Sequence, residues 1–122
     1  MKHTVFVSYA SRDRSFAESL KPRLAQLLAD KSGGVEVVDV RSAISAKTDV
    51  RKKIQDTMSK ASTVVIVSSP EVDRSEWVNY EAGLADALGK DLVIVGRKGA
   101  GKSALVRRFQ DSARFIELDD PN

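Results

Sequence analysis

The sequence lacks several residue types on which whole classes of enzyme and binding site depend. It contains no cysteine, which excludes disulfides, thiolate-bound zinc and thiol nucleophiles. Its single histidine, His3, precedes the first apolar run and is poorly placed for a Ser-His-Asp triad or a histidine-based metal site. Any catalysis would therefore rest on carboxylates, hydroxyl groups and basic side chains, and we predict no metal ligands.

Long apolar runs are also missing. No stretch approaches the roughly 18 to 20 apolar residues of a membrane-spanning helix, and the apolar part of MKHTVFVSYA is too short for a signal peptide. Aromatic residues make up 6% of the chain and the formal net charge is +3, so neither a base-stacking platform nor a concentrated basic surface is indicated. We expect a cytoplasmic protein that contacts no membrane, and nucleic acid is not an expected partner.

The sequence does contain a regular alternation of short β-branched runs and amphipathic segments. The runs are TVFVSY, VEVVDV, STVVIVSS, DLVIVG and RFIEL. Those centred on Val65 and Val93 lack polar alternation, which is typical of strands buried on both faces. The pattern predicts an α/β fold with an open parallel five-stranded sheet and helices on both faces. We favour the flavodoxin-like order 2-1-3-4-5, although the pattern alone leaves other orders open.

One glutamate lies where the helical pattern calls for an apolar residue. In SEWVNYEAGLADAL, a helical wheel groups these apolar residues in one sector: Trp77, Val78, Ala82, Leu84, Ala85 and Leu88. Glu81 falls near the middle of that sector. An ionised carboxylate facing a core is costly unless it is paired, hydrogen-bonded or open to a cleft. Glu81 is therefore a candidate functional residue, and the alternative is a structural carboxylate satisfied by backbone N–H groups or an arginine.

The loops after the strands indicate where a ligand would bind. In such a sheet ligands bind beyond the carboxyl ends of the strands, beside the first strand. The loops predicted there carry basic residues that favour a pyrophosphate, namely Arg12, Arg41, Lys47, Arg97, Lys98 and Lys102. Glu81 follows the third of these loops, so the unusual glutamate is predicted to lie near the same edge.

Residues 96–103, GRKGAGKS, fit the phosphate-binding pattern G-x-x-x-x-G-K-S between a strand and a helix. In that interpretation Gly96 begins a loop whose N–H groups surround phosphates, Lys102 reaches the terminal phosphates and Ser103 binds magnesium. The short remainder of the chain leaves little room for the strand that carries a magnesium-binding aspartate. The alternative is a basic surface turn with Ser103 as a helix cap.

Two segments carry a resemblance to a known family. They are VFVSYASRD and DVRKKIQDTMSKASTVVIVSSPEVDRSEWVNYEAGLA, and the most specific part is S-x-W-x-x-x-E at Ser75, Trp77 and Glu81. From about Thr4 to Glu117 the chain resembles Toll/interleukin-1 receptor (TIR) domains, especially bacterial members that cleave NAD+. The resemblance implies the same flavodoxin-like fold, NAD+ as a substrate, and no separate cofactor.

The resemblance also implies roles for individual residues. Glu81 would be the catalytic glutamate. Ser8, Tyr9 and Ala10 would form one wall of the pocket, against the alternative that Tyr9 only packs on a helix. Trp77 would line the nicotinamide or ribose pocket unless it belongs to the core. Ser75 belongs to the motif, and the structural alternative is that it only caps the helix.

The expected domain spans residues 1–118, followed by a tail at 119–122 that would lead to a fused sensor or oligomerisation domain. By resemblance, the domain would act in anti-phage defence and would become active by self-association with other TIR domains. A non-enzymatic TIR interaction scaffold is the alternative, and a P-loop nucleotide-binding protein is the third candidate. The product is left open between ADP-ribose, cyclic ADP-ribose and base exchange.

Two features depart from the family pattern. The loop after strand two lacks the usual glycine before the second helix and has Lys47 or Thr48 there, which restricts the backbone and bears on how subunits would assemble. Some members carry an arginine directly after the strand-one tyrosine, where this chain has Ala10. A ligand contact is therefore missing or supplied from elsewhere.

Overall fold

The computed structural model describes residues 3–27, 35–38, 50–69, 75–97 and 104–118. Strands and helices alternate along these residues, with one short 3-10 helix before α1. Their bounds are β1 His3–Ser8, the 3-10 helix Ser11–Asp13, α1 Arg14–Leu27, β2 Val35–Val38, α2 Val50–Ser59, β3 Thr63–Ser68, α3 Glu76–Ala87, β4 Asp91–Arg97, α4 Ala104–Arg108 and β5 Arg114–Leu118.

The strands form one five-stranded sheet in the order β2-β1-β3-β4-β5. Every neighbouring pair is parallel. β3 lies at the centre, and all of its residues, TVVIVS, are buried, which suits a β-branched run covered on both faces. The predicted α/β fold and the flavodoxin-like order are confirmed.

Side chains of the strands alternate between two apolar clusters, one on each face of the sheet. On one face, which we call the α3 face, helices α2, α3 and α4 pack over Phe6, Ile66 and Ile94. On the other, which we call the α1 face, helix α1 packs over Val7 and Val67. Helices therefore cover both faces, as the sequence predicts. No helix within the described residues is both long and apolar enough to cross a membrane.

Most predicted elements agree with the observed ones. The run RFIEL is strand β5, and the third predicted helix is α3. The first predicted helix, DRSFAESLKPRLAQLLAD, begins with the 3-10 turn and continues as α1. The last one, KSALVRRFQDS, is shorter than predicted within the described residues, because α4 spans only Ala104–Arg108.

Both ends of α3 are set by local hydrogen bonds. At the start, the Ser75 hydroxyl accepts a hydrogen bond from the Val78 N–H at 3.2 Å, so the predicted helix cap is confirmed. At the end, Gly89 has a φ of +69°, a conformation that favours glycine. The Lys90 N–H then donates to the Ala85 carbonyl at 3.0 Å, which completes a Schellman motif. These two ends place the helix that carries Glu81.

Replacing Ser75 with alanine is expected to lower the free energy of unfolding by about 1 kcal/mol, because the first turn of α3 loses its cap. The urea midpoint of Ser75→Ala should fall, whereas Ser75→Asp, which keeps a capping oxygen, should stay close to the wild type. Equal midpoints for all three proteins would show that the cap contributes nothing.

The helical wheel is wrong for two residues of α3. Trp77 is 42% exposed and Leu88 is 49% exposed, although the wheel puts both in the apolar sector. The buried residues of α3 are Val78, Glu81, Ala82 and Ala85. Trp77 is turned by about 100° from Val78 and so lies at the border of the buried sector. Leu88 is the C-cap residue, beyond the last helical turn.

Candidate functional site

Two serines end neighbouring strands at the switch point of the sheet. The last ladder pair between β1 and β3 joins Ser8 to Ile66, and β3 continues to Ser68. Side chains alternate along a strand, so Ser8 lies on the same face as Phe6, and Ser68 lies on the same face as Ile66. Phe6 and Ile66 both belong to the α3-face cluster. The two serines are therefore on the α3 face, at the carboxyl edge where ligands bind in such sheets.

Glu81 is buried against the same face. Its relative exposure is 3%, and the neighbouring residues Val78, Ala82 and Ala85 belong to the α3-face cluster. It lies in the second turn of a helix that starts at the carboxyl edge, directly after the loop from β3. The wheel's placement of Glu81 among buried residues is therefore correct. A carboxylate shielded from water in this way interacts more strongly with nearby charge than an exposed one does.

Two polar atoms of this region are buried without a hydrogen bond inside the described part of the chain. They are the hydroxyl oxygen of Ser8 and the Oε2 oxygen of Glu81. Glu81 as a residue does make other interactions. Buried hydroxyl groups in folded proteins generally have a partner. The Ser8 hydroxyl therefore has a hydrogen bond to offer on the α3 face.

A second polar pair connects the segments that follow the same two strands. The Ser69 hydroxyl donates a hydrogen bond to Asp13 Oδ2 at 2.5 Å. Both side chains are buried, Asp13 with 4% exposure and Ser69 with 7%. Neither residue is among the predicted site residues. The short polar segment SRD after strand one and the double serine after strand three are visible in the sequence, but nothing local indicates that they meet.

Two aromatic residues of α3 lie beside the site, and polar side chains of α2 contact one of them. Trp77 makes an edge-to-face contact with Tyr80, with ring centroids 6.4 Å apart. The Gln55 side-chain amide donates to the Tyr80 hydroxyl at 3.1 Å, and the Arg51 guanidinium lies 5.5 Å from the centre of that ring. These contacts hold Tyr80 while leaving much of Trp77 open to solvent. Trp77 therefore packs on a Tyr80 ring that is itself held in place, while much of the Trp77 ring stays exposed.

Comparison with known protein families identifies the family of this chain. The family model described as "TIR domain" matches residues 5–119, almost the whole chain. The chain belongs to the TIR domain family. No curated protein sequence matches it.

Solved structures with the fold of this TIR domain include proteins of different kinds. A CMP N-glycosidase, BcmB, from Clostridium botulinum has a TM-score of 0.65 and 19% identity, covering 95% of this chain and 88% of its own. The TIR domain of the Toll-related receptor TRR-2 from Hydra magnipapillata has a TM-score of 0.64 and 14% identity, with 93% and 82% covered. A 2-desoxiribosyltransferase from Leishmania mexicana has a TM-score of 0.58 and 19% identity, with 88% and 71% covered. At these identities the likeness concerns the fold.

In this TIR domain, the two predicted pocket residues that follow strand one, Tyr9 and Ala10, have different surroundings from Ser8. The Tyr9 ring is buried in the α1-face cluster together with Phe16 of α1, so it lies on the opposite face of the sheet from Glu81. Ala10 is buried, and its carbonyl accepts a hydrogen bond from the Asp13 N–H at 2.8 Å. Tyr9 could therefore reach a ligand on the α3 face only through its backbone.

The remaining predicted site residues of the TIR domain lie apart from Ser8 and Glu81 or fall outside the described residues. Arg12 is exposed. Gly96 is buried inside β4 and is in register with Ser68 of β3. Predictions that fall outside the described residues are those for Arg41, Lys47, Lys98, Lys102 and Ser103. Within the described residues, no group of three or more acidic or histidine side chains could hold a metal ion.

Proposed function

We propose that this TIR domain is an NAD+ glycohydrolase that cleaves the bond between nicotinamide and ribose, with Glu81 as the catalytic residue. The observation that carries the proposal is the burial of Glu81 at the carboxyl edge of the sheet. Glu81 also completes the S-x-W-x-x-x-E pattern that resembles NAD+-cleaving family members. A buried carboxylate with apolar neighbours on its own helix is costly for a helix that only needs to pack.

The chemistry of NAD+ suits a site whose proposed catalytic group is a single carboxylate, in a chain whose one histidine, His3, is at the start of β1. Ordinary glycosidases need a general acid because the leaving oxygen must be protonated. In NAD+ the nicotinamide ring carries a positive charge, and the electron pair of the breaking C1′–N1 bond neutralises it. Nicotinamide therefore leaves without a proton. A single carboxylate that stabilises the developing oxocarbenium charge supplies the principal electrostatic requirement.

Ser8 adds to this proposal a contact with the ribose hydroxyl groups. Its buried hydroxyl lies on the same face as Glu81 and has no hydrogen-bond partner within the described residues. A ribose hydroxyl group would satisfy it. Glu81 and Ser8 together would orient the ribose, while the backbone at Tyr9 and Ala10 forms the wall beside it. Water then attacks C1′ and loses a proton, which gives ADP-ribose. Attack by an atom of the same molecule would give a cyclic product.

The named neighbours are consistent with this class of reaction. The glycosidase acts, by its name, on CMP, and the Leishmania enzyme transfers, by its name, a desoxyribosyl group. The nicotinamide–ribose bond of NAD+ is also an N-glycosidic bond. For the phosphates of NAD+, we propose contacts from Arg41 and Lys47, with Lys102 as a further candidate.

Trp77 is proposed to stack on the nicotinamide ring. Replacing Trp77 with alanine should raise KM for NAD+ about tenfold, because stacking of a base on an aromatic side chain contributes about 1–3 kcal/mol. Trp77→Phe should recover most of the affinity. Leu88→Ala, at an exposed position near the other end of α3, is the matched control and should leave KM unchanged. A wild-type KM in Trp77→Ala would remove Trp77 from the substrate site.

The proposal also includes self-association and a role in anti-phage defence. We propose that the domain acts as the effector of a longer protein and becomes active when neighbouring TIR domains assemble. Its partners would then be NAD+, other TIR domains and a fused sensor. Assembly matters because the family resemblance puts part of each active site on a bordering subunit.

Two alternatives remain, with different support. A non-enzymatic TIR scaffold is favoured by the exposed Trp77, since large exposed aromatic groups are common at protein interfaces. The P-loop alternative has less support, because α4 spans only five residues. That alternative predicts ATP hydrolysis that depends on magnesium and Lys102.

The test of the proposed function is release of nicotinamide from NAD+ by the purified chain at high concentration with a crowding agent. Chromatography would measure nicotinamide and the ADP-ribose product, while light scattering would report assembly. We expect release that rises with assembly. Assembled protein that produces no nicotinamide would contradict the proposal and favour the scaffold.

A further inference from the structure

The segments that follow β1 and β3 are joined by a hydrogen bond beyond the last pair of the ladder between the two strands. Backbone pairing between the two strands ends at Ser8 and Ile66. Beyond that pair, the Ser69 hydroxyl donates a hydrogen bond to Asp13. This bond joins residues 56 positions apart in sequence at the edge where the proposed substrate would bind. It therefore links the two segments past the end of their ladder, close to the proposed site.

The geometry of the turn makes this bond relevant to Ser8. The Asp13 N–H donates to the Ala10 carbonyl, so Asp13 closes a tight turn that begins two residues after Ser8. On the other strand, Ser69 directly follows Ser68, which lies on the α3 face. The bond from Ser69 to Asp13 therefore limits how far Ser8 and Ser68 can separate, because Ser68 is adjacent to Ser69 and the turn closed by Asp13 begins close to Ser8. A hydrogen bond to a carboxylate is strong enough for this task.

We infer that Asp13 and Ser69 are positioning residues, which hold the strand ends so that Ser8 meets the ribose beside Glu81. This inference rests on the proposed function. Both side chains are buried and bond to each other, so the proposed role is to position the strand ends and not to touch the substrate. Their effect is on geometry, and a displacement of about 1 Å in an active site can lower a rate about 10²-fold.

A simpler role for Asp13 has to be separated from this one. Asp13 directly precedes α1, where aspartate is a favoured helix cap. Ser69→Ala distinguishes the two roles, because it removes the hydrogen bond between the strand ends and leaves Asp13 in place before the helix. It removes only one hydroxyl group, so the protein should still fold if Asp13→Ala does not.

The experiment measures kcat and KM for NAD+, with urea unfolding in parallel, for Asp13→Ala, Ser69→Ala and the double variant. We expect each single change to lower kcat about 10- to 100-fold with KM changed less than about threefold. Because the two residues act through one bond, the double variant should be no slower than the slower single variant. Asp13→Asn and Ser69→Thr keep an acceptor and a donor and should recover most of kcat.

Thr63→Val is the matched control. The Thr63 hydroxyl donates to Asp91 Oδ2 at 3.4 Å, and this bond also joins neighbouring strands, but at their amino ends. The variant should change stability without changing kcat. If Asp13→Ala and Ser69→Ala behave like Thr63→Val, with wild-type kcat in a less stable protein, the pair is structural and the inference is overturned. If the wild-type chain releases no nicotinamide at all, the proposed function fails first and the inference falls with it.

Discussion

Replacing Glu81 with glutamine is expected to lower the rate of nicotinamide release about 10²- to 10³-fold, the range typical for the loss of one preorganised electrostatic group. Glutamine has nearly the same shape, so the packing of the buried side of α3 should persist. What disappears is the negative charge that would stabilise the oxocarbenium-like transition state. The melting temperature should stay the same or rise, because the variant no longer buries a charge.

Glu76 offers a matched control on the same helix. It lies in the first turn of α3 and is exposed, so Glu76→Gln makes the same chemical change five residues away. Its rate should differ from the wild type less than about twofold, since exposed charges are screened by water. Equal rates for the Glu81 and Glu76 variants, in proteins with unchanged melting curves, would show that Glu81 is a structural carboxylate.

Replacing Phe6 with alanine is expected to lower the free energy of unfolding by about 3–5 kcal/mol, the usual cost of deleting a fully buried aromatic ring. Phe6 has 0% exposure and packs in the α3-face cluster, on a strand that pairs on both sides. Two sources of stability disappear together: the apolar burial of the ring and the contacts around the cavity it leaves. The urea midpoint at constant slope measures the loss.

Phe115 is the corresponding control, because it has the same side chain on the edge strand β5. It is 37% exposed, and its ring packs against Gly96. Phe115→Ala should cost about half as much or less, since a partly exposed ring has less area to lose and water can fill the space. Equal losses at the two positions would mean that the centre of the sheet contributes no more than its edge.

Much of the fold could be predicted from local pattern. The β-branched run around Val65 predicts a strand buried on both faces, and it is the central strand β3. The alternation of runs and amphipathic segments predicts parallel pairing with helical crossovers, because parallel strands need such connections. Glu81 could also be found in this way, since a charge within a buried helical sector is visible on a wheel.

Other parts of the site could not be predicted in this way. Ser8 and Tyr9 are adjacent in sequence, yet Ser8 lies on the α3 face and Tyr9 is buried against α1. Their different surroundings depend on which helices cover each face of the sheet and on which face each side chain takes at the end of β1. Trp77 is exposed because the buried sector of α3 is narrower than the apolar sector of the wheel.

The sequence by itself determined the class of fold, the positions of the strands, the family and the most unusual side chain, Glu81. These properties depend on short-range periodicity and on a motif whose members lie within two helical turns. Only the tertiary structure decided that Ser8 shares a face with Glu81, and that Asp13 bonds to Ser69. Such contacts join residues that are far apart along the chain, and they arise only when strands and helices pack together. The local sequence pattern cannot predict these contacts, because strands that paired in another register would have the same pattern of residues.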